Sequence, residues 1–187
     1  MMLERNFNIK IILKPSFYLK WLVFLLIFQL GFSQNNSKQF LNGTWDFKTD
    51  PYSQGEKEGW QNENLNTASW DTMKVPGNWD LVNEYSEYAG DAWYSRTFIV
   101  DKSAENQQIR LVFQSVYNDS KVWINGQFVG ENHFGYLPFH FDISKYLKIG
   151  QENRITVLAN NVFKKGAFWN WGGIRRPVWL EITPLTR

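Results

Sequence analysis

The sequence predicts an all-β domain, built either as a β-sandwich or as a closed barrel. Nine short segments rich in β-branched and aromatic residues are separated by turn residues, and several of them alternate strictly between apolar and polar positions. No apolar pattern with a helical period is sustained over three turns. Many short, evenly spaced strands of this kind are typical of both architectures.

The first 33 residues are expected to be a cleavable signal peptide. Four basic residues in 1–20 precede the apolar run 21–32, and Gly31 and Ser33 are small residues at positions −3 and −1 before Gln34. The apolar run is shorter than the ~20 residues that a membrane-spanning helix needs. We therefore expect export to a periplasmic or extracellular location with no membrane attachment after cleavage; a retained anchor is the alternative.

Residues 34–187 are expected to form one domain of ordinary size after a polar lead-in, with 34–40 as the lead-in and 41–187 as the domain. The chain has no cysteine, which excludes disulfides and a lipid-modified N-terminal cysteine. Without the leader, 16 basic and 17 acidic residues remain, a formal charge of −1. This balance argues against a nucleic-acid partner and predicts a neutral ligand.

The predicted strands turn one apolar face toward a core. Ile109, Leu111 and Phe113 share one face of their segment, and the odd-numbered residues of 155–159 repeat this pattern. Period-two patterning with one apolar face indicates antiparallel sheet. The nine predicted strands are 44–49, 70–75, 92–100, 108–115, 121–125, 127–131, 139–143, 153–160 and 177–183.

Two connections carry specific turn signals. Asn125 and Gly126 both accept positive φ, so they predict a two-residue type I′ hairpin between 121–125 and 127–131. The segment 142–153 predicts a short helical turn, capped by Asp142 or Ser144 and ended by Gly150.

The stretch FGYLPFHFDIS (134–144) combines a core strand with a candidate binding loop. Pro138 fits the start of a strand, where its missing N–H is tolerated, and Phe139 and Phe141 are expected to pack on the core. Tyr136 and His133 lie before the strand and are surface candidates for ligand contact. For His133 the alternative is an ordinary polar loop residue.

No cofactor is expected. Two histidines and no cysteine argue against a zinc site, and no glycine-rich phosphate loop or G-x-S-x-G motif is present. The polar segment 50–69 has a disorder-like composition, and 50–56 carries oxygen atoms that calcium could use. Its spacing, however, matches no known calcium loop.

Five motifs in order resemble the N-terminal sugar-binding domain of family 2 glycoside hydrolases, the group of β-galactosidases, β-glucuronidases and β-mannosidases. They are LNGTWDF (41–47), VPGNWD (75–80), AWYSRTF (92–98), VWINGQFVGENHFGYLPFHFDIS (122–144) and WGGIRRPVWL (171–180). The resemblance implies a jelly-roll β-sandwich of the galactose-binding-domain type. It also implies partners in the same enzyme, an immunoglobulin-like domain and a (β/α)₈ barrel, and a β-linked saccharide as ligand.

The resemblance places catalysis outside this domain. Family members are retaining enzymes whose two catalytic glutamates lie on the barrel, and a barrel needs ~250 residues of its own. We therefore expect no catalytic residues here and no glycosidase activity from the chain as given, which would be either a truncated enzyme or a protein standing alone.

The segment 164–178 is the candidate carbohydrate site, because in this family the loop reaches toward the mouth of the barrel. Trp169 and Trp171 offer flat faces for a pyranose, and burying ~80 Å² per ring contributes about 2 kcal/mol. Asn170 offers an acceptor and donors for hydroxyls, and Arg175 or Arg176 a planar fork of donors. The alternatives for the tryptophans are packing against other domains and plain core packing.

Ala167 departs from the family pattern. Members acting on galactose or glucuronate often carry at this point an aspartate that helps to hold the sugar. This departure argues against a plain β-galactosidase or β-glucuronidase. Either the bound sugar is neither galactose nor glucuronate, or another residue supplies the carboxylate that holds it.

Three hypotheses follow. The first is the non-catalytic N-terminal domain of an exported retaining β-glycosidase, whose loop 164–178 shapes the substrate cleft. The second is a stand-alone secreted carbohydrate-binding module. The third is an interaction domain without sugar affinity.

Overall fold

The computed structural model describes residues 36–162 and 171–185, which lie in one compact unit, Asn36–Arg187. The predicted leader lies outside the described residues. In the described part no helix has the length and apolar character to cross a membrane. The described residues contain twelve strands: β1 Ser37–Phe40, β2 Gly43–Asp50, β3 Asp71–Val75, β4 Asp91–Ile99, β5 Gln107–Phe113, β6 Val116–Tyr117, β7 Asp119–Ile124, β8 Gln127–Asn132, β9 Phe139–Asp142, β10 Glu152–Asn160, β11 Gly173–Ile174 and β12 Val178–Pro184.

The strands form two main antiparallel sheets around one core. One sheet has the order β1-β12-β5-β9 and the other the order β3-β2-β4-β10-β7-β8, while β6 and β11 form a separate pair. Side chains from both sheets, such as Leu111 and Leu180 on one and Tyr94 and Val157 on the other, belong to the same buried cluster. The all-β sandwich is therefore confirmed.

All nine predicted strands are present, with ends shifted by no more than two residues. Within the segment 34–40, which the sequence analysis treats as a lead-in, Ser37–Phe40 pairs with β12 and forms the edge of the four-stranded sheet. An edge strand turned to solvent needs few apolar residues, which explains the polar sequence. The two-residue strands β6 and β11 were not predicted.

The predicted hairpin and the predicted short turn are both present, but the cap and the end predicted for that turn are wrong, because Ile143 occupies the N-cap position without a side-chain bond and the turn ends at Tyr146, before Gly150. Asn125 and Gly126 have φ of 50° and 77° between the paired strands β7 and β8. A 3₁₀ turn covers Ser144–Tyr146, and the Asp142 carboxylate accepts hydrogen bonds from the Ser144 N–H and hydroxyl. Phe139 and Phe141 pack against the core, as expected.

The segment 50–69 covers the outer face of the six-stranded sheet, although its composition resembles that of disordered chains. Trp60 lies 5.9 Å from the buried Trp93 and 5.5 Å from Trp70, measured between ring centroids. The buried Asp50 carboxylate accepts hydrogen bonds from the Gly55 N–H and from the Trp93 indole. Asp50 and Trp60 therefore anchor this polar loop, and ion pairs of Glu56 with Lys121 and of Glu63 with Lys148 add to its attachment.

Candidate functional site

The candidate site begins at Gly172–Ile174, a short segment held by hydrogen bonds on two sides. On one side Gly173 and Ile174 pair with β6. On the other side the Trp79 N–H donates to the Gly172 carbonyl at 3.0 Å, and the Gly172 N–H donates to an Asp80 carboxylate oxygen at 2.9 Å. The motifs VPGNWD and WGGIRR, which are far apart in sequence, therefore form one structural unit.

Both glycines of this segment are required by close packing. A Cβ on Gly172 would lie 1.9 Å from an atom of the Trp79 ring, which is fully buried. Gly173 has φ of +118°, and a Cβ there would lie 2.6 Å from the Tyr94 hydroxyl. The chain thus runs directly over buried aromatic rings and emerges at Trp171.

Trp171, Arg175 and Tyr136 form a stack at the end of this segment. The Arg175 guanidinium carbon lies 4.1 Å from the centroid of the half-buried Trp171 ring and 5.9 Å from that of Tyr136. Tyr136 also contacts Tyr117 edge to face, with 5.3 Å between centroids. The loop before β9 and the segment after Trp171 are therefore joined through one guanidinium, the cation that aromatic faces favour.

Arg175 and the neighbouring Tyr117 are partly removed from water, whereas Tyr136 is exposed. Burial lowers the pKa of Arg175 below its usual range, and the neighbouring Tyr136 and Asp80 oppose this shift. Burial also raises the pKa of Tyr117, and Tyr136 adds to that effect. An arginine remains charged at neutral pH even with a lowered pKa, so Arg175 brings a poorly solvated cation to the stack.

His133 lies at the other end of the loop before β9. Its Nδ1 is 3.2 Å from Asp119 Oδ1, and its Nε2 is 3.4 Å from Glu131 Oε1. It shares with Tyr136 a shallow cleft of about 310 Å³. It also contributes to a second cleft of about 410 Å³, whose acidic lining residues are Glu56, Asp91, Asp119 and Glu131.

Of the predicted site residues, Trp171, Arg175 and Tyr136 are brought together, and His133 lies farther along the same loop. Trp169 and Asn170 lie outside the described residues, as does Ala167. Arg176, the alternative to Arg175, is exposed.

Sequence reasoning missed Tyr117 and Asp80. Asp80 belongs to the VPGNWD motif, which was a usable signal. Tyr117 follows a predicted strand and carried no pattern of its own.

The stack offers chemistry for binding rather than for bond cleavage. It presents a flat indole, the phenol of Tyr136 and a planar cation, which suit contacts with the C–H face and the polar groups of a saccharide. Across the described residues, no group of three or more His, Cys, Asp or Glu side chains is placed to hold a metal ion.

The comparisons with known proteins agree with this description. A family model described as "Glycosyl hydrolases family 2, sugar binding domain" matches residues 38–184. A β-glucuronidase of Paenibacillus borealis is 36% identical over 125 residues, which are 65% of this chain and 21% of that protein. A β-galactosidase of Bacteroides ovatus is 30% identical over 154 residues, 76% of this chain and 18% of that protein.

Solved structures give the same assignment. The crystal structure of Ruminococcus gnavus β-glucuronidase matches with a TM-score of 0.75 and 29% identity, covering 82% of this chain and 30% of that one. A Lactobacillus rhamnosus β-glucuronidase matches with a TM-score of 0.74 and 30% identity, with the same coverage of both chains. The chain spans about a fifth of the length of the two curated relatives named above. It therefore belongs to glycosyl hydrolase family 2, in which it matches the sugar-binding domain.

Proposed function

We propose that this chain is the non-catalytic N-terminal domain of an exported retaining β-glycosidase, a jelly-roll sandwich whose loop 164–178 shapes one side of the cleft for a β-linked saccharide. Downstream immunoglobulin-like and barrel domains would supply the acid/base and the nucleophile. The domain would help to bind and orient the saccharide. This orientation would lower the activation barrier of hydrolysis by placing the scissile bond against the catalytic groups of the barrel.

One observation carries this proposal: the Trp171–Arg175–Tyr136 stack lies where the loop 164–178 rejoins the sandwich. An aromatic face beside a fork of donors is the combination that recognises the apolar and polar sides of a sugar ring. The relatives, named as β-glucuronidases and β-galactosidases, support a saccharide ligand without selecting one.

Isothermal titration with β-linked oligosaccharides tests the binding role. Removing the ring in Trp171→Ala should weaken binding about thirtyfold, the equivalent of about 2 kcal/mol of buried ring surface. Trp179→Ala is the matched control, because that partly buried indole packs at a tilt against Phe40, 6.1 Å between centroids, on the outer face of the four-stranded sheet. Equal affinities for all three proteins would reject a role for Trp171 in sugar binding.

Two further measurements test the rest of the proposal. The purified chain should not hydrolyse a chromogenic β-glycoside, and hydrolysis would place catalytic groups within it. N-terminal sequencing of the exported protein should begin at Gln34.

A stand-alone binding module is the competing function, and the downstream reading frame separates the two. A frame that continues into a barrel supports the enzyme domain. A stop codon after Arg187 supports the module.

A further inference from the structure

The outer face of the four-stranded sheet carries side chains in two rows that run across the strands. The first row consists of three rings and a valine, one from each of β1, β12, β5 and β9: Phe40, Trp179, Val112 and His140. The second row lies two residues along the same strands and is charged: Lys38, Glu181, Arg110 and Asp142. Residues directly opposite in an antiparallel pair share a face, and the intervening residues of β5 and β12 enter the core. Both rows therefore point away from the core.

This face is open to solvent. Phe40 is 57% exposed, the other residues at the ends of the two rows are exposed as well, and the four central residues are partly exposed. The Phe40 and Trp179 rings lie 6.1 Å apart, and the Lys38 ammonium lies 4.7 Å from the centroid of the Trp179 ring. An apolar and aromatic strip beside charged side chains is the composition of a protein–protein interface.

The order of the charges indicates which partner fits. From β1 to β9 the second row reads positive, negative, positive, negative, and within the chain Arg110 lies 3.7 Å from Glu181. The same row read backwards has the opposite sign at every position. A second copy, turned about a two-fold axis parallel to the strands, therefore places its Glu181 over Arg110 and its Asp142 over Lys38. A two-fold axis along the row would instead place each charge on its own copy, lysine against lysine.

We propose that two copies of this chain associate through the outer faces of their four-stranded sheets, with the two-fold axis parallel to the strands. The first rows of the two copies then lie over each other, and Trp179 of each copy covers Val112 of the other. A self-complementary contact of this kind is the commonest in homo-oligomers, and sheets readily stack face to face ~10 Å apart. The proposal is independent of saccharide binding, because none of these residues belongs to the Trp171–Arg175–Tyr136 stack.

The size of the face sets the strength of the association. Four strands ~4.8 Å apart and three outward positions ~6.8 Å apart give a face of about 400 Å² per copy. The two copies together bury about 800 Å², which is below the ~1,200–2,000 Å² of stable complexes. We therefore expect a weak, reversible dimer with a Kd on the order of 100 µM.

Sedimentation velocity of the purified chain from ~5 to ~500 µM measures the association. Trp179→Ala removes the largest ring of the contact and should weaken it about tenfold. Raising the NaCl concentration from ~0.05 to ~0.5 M should also weaken it, because the facing charges are partly exposed and are screened by salt.

Charge reversal tests the arrangement itself. Glu181→Lys places a lysine against Arg110 of the other copy, and Arg110→Glu places a glutamate against Glu181, so each variant alone should stay monomeric at ~500 µM. An equimolar mixture of the two variants should associate, because every facing pair then has opposite signs. Glu152→Lys is the matched control: Glu152 is the exposed first residue of β10 in the other sheet, so self-association should be unchanged.

Each outcome decides one part of the proposal. A parent chain that is monomeric at ~500 µM overturns the dimer. Association that persists in both single variants shows that another surface is used. Two monomeric variants that fail to associate when mixed, while their circular dichroism matches that of the parent, overturn the two-fold arrangement.

Discussion

Replacing Gly172 by alanine should disrupt the unit that carries the candidate site. The new Cβ would lie 1.9, 2.2 and 2.4 Å from three atoms of the Trp79 ring. Trp79 has no room to retreat: it is fully buried, its ring lies 6.0 Å from Phe47 and 6.1 Å from Tyr88, and its indole donates to the Tyr88 carbonyl. The glycine is held as well, because its N–H and its carbonyl are both hydrogen-bonded.

The cost follows from this geometry. Overpacking a close-packed core typically costs about 1–3 kcal/mol, and contacts this short belong at the upper end of that range. For a domain of this size, about 3 kcal/mol corresponds to a fall in Tm of roughly 6–12 °C. The effect should be steric, because Gly172 is not among the glycines with positive φ.

Thermal unfolding followed by circular dichroism measures the loss. Gly59→Ala is the matched control. Its new Cβ would meet the flexible end of the Asn62 side chain, which can move away, but Gly59 has φ of +77°. This variant should therefore lose only the about 1–2 kcal/mol that a left-handed backbone conformation costs alanine. Adding Trp79→Phe to Gly172→Ala should cost less than the sum of the two changes, because the smaller ring makes room. A Tm for Gly172→Ala within about 2 °C of the parent would refute the packing argument.

Three further predictions concern the scaffold. Trp60→Ala removes a ring that packs on Trp93, so urea unfolding should show a loss of about 3 kcal/mol, with saccharide affinity unchanged. Burial raises the pKa of Tyr88 to about 12. The hydroxyl is therefore deprotonated at lower pH in the unfolded chain than in the folded one, and the free energy of unfolding should fall between pH ~10 and ~12. Tyr88→Phe should make this fall shallower, as measured by the fluorescence of unfolding at each pH. Asn125→Ala removes the side-chain oxygen that accepts a hydrogen bond from the Arg154 N–H, and it places alanine at a φ of 50°. Together these changes should lower the free energy of unfolding by about 2–4 kcal/mol in the same urea assay. Asn125→Gly, which keeps the turn, should recover the backbone part of that loss.

The strands could be predicted from the sequence because burial of one face leaves a period-two pattern. β5 shows this most clearly, since Ile109, Leu111 and Phe113 enter the core and the residues between them are less buried; β10 sends Ile155, Val157 and Ala159 into the core, but its other face is buried as well. The edge strand β1 has no such pattern because it buries little, and β6 and β11 are too short to have one. The order of strands could not be predicted either, because the pairing of β12 with both β1 and β5 joins segments far apart in sequence.

The site was predictable by residue type but not by arrangement. Trp171, Arg175 and Tyr136 were candidates because flat faces and planar donors suit a sugar. Nothing local indicated that Arg175 would contact both rings, because that depends on where the loop before β9 meets the segment after Trp171. Tyr117 was missed for the same reason: its importance comes from its pairing with Gly173 and its contact with Tyr136.

The two hydrogen-bonded sides of Gly172–Ile174 explain how a loop residue can serve as a rigid contact. Trp171 directly precedes a segment whose backbone is bonded to β6 on one side and to Trp79 and Asp80 on the other, and its ring is covered by Arg175. A side chain that is already ordered loses no conformational freedom when the ligand binds, which makes the binding free energy more favourable by about 0.5–1.5 kcal/mol for each such group. The close packing of glycine on Trp79 therefore supports binding as well as stability, because it fixes the chain at the point from which Trp171 projects.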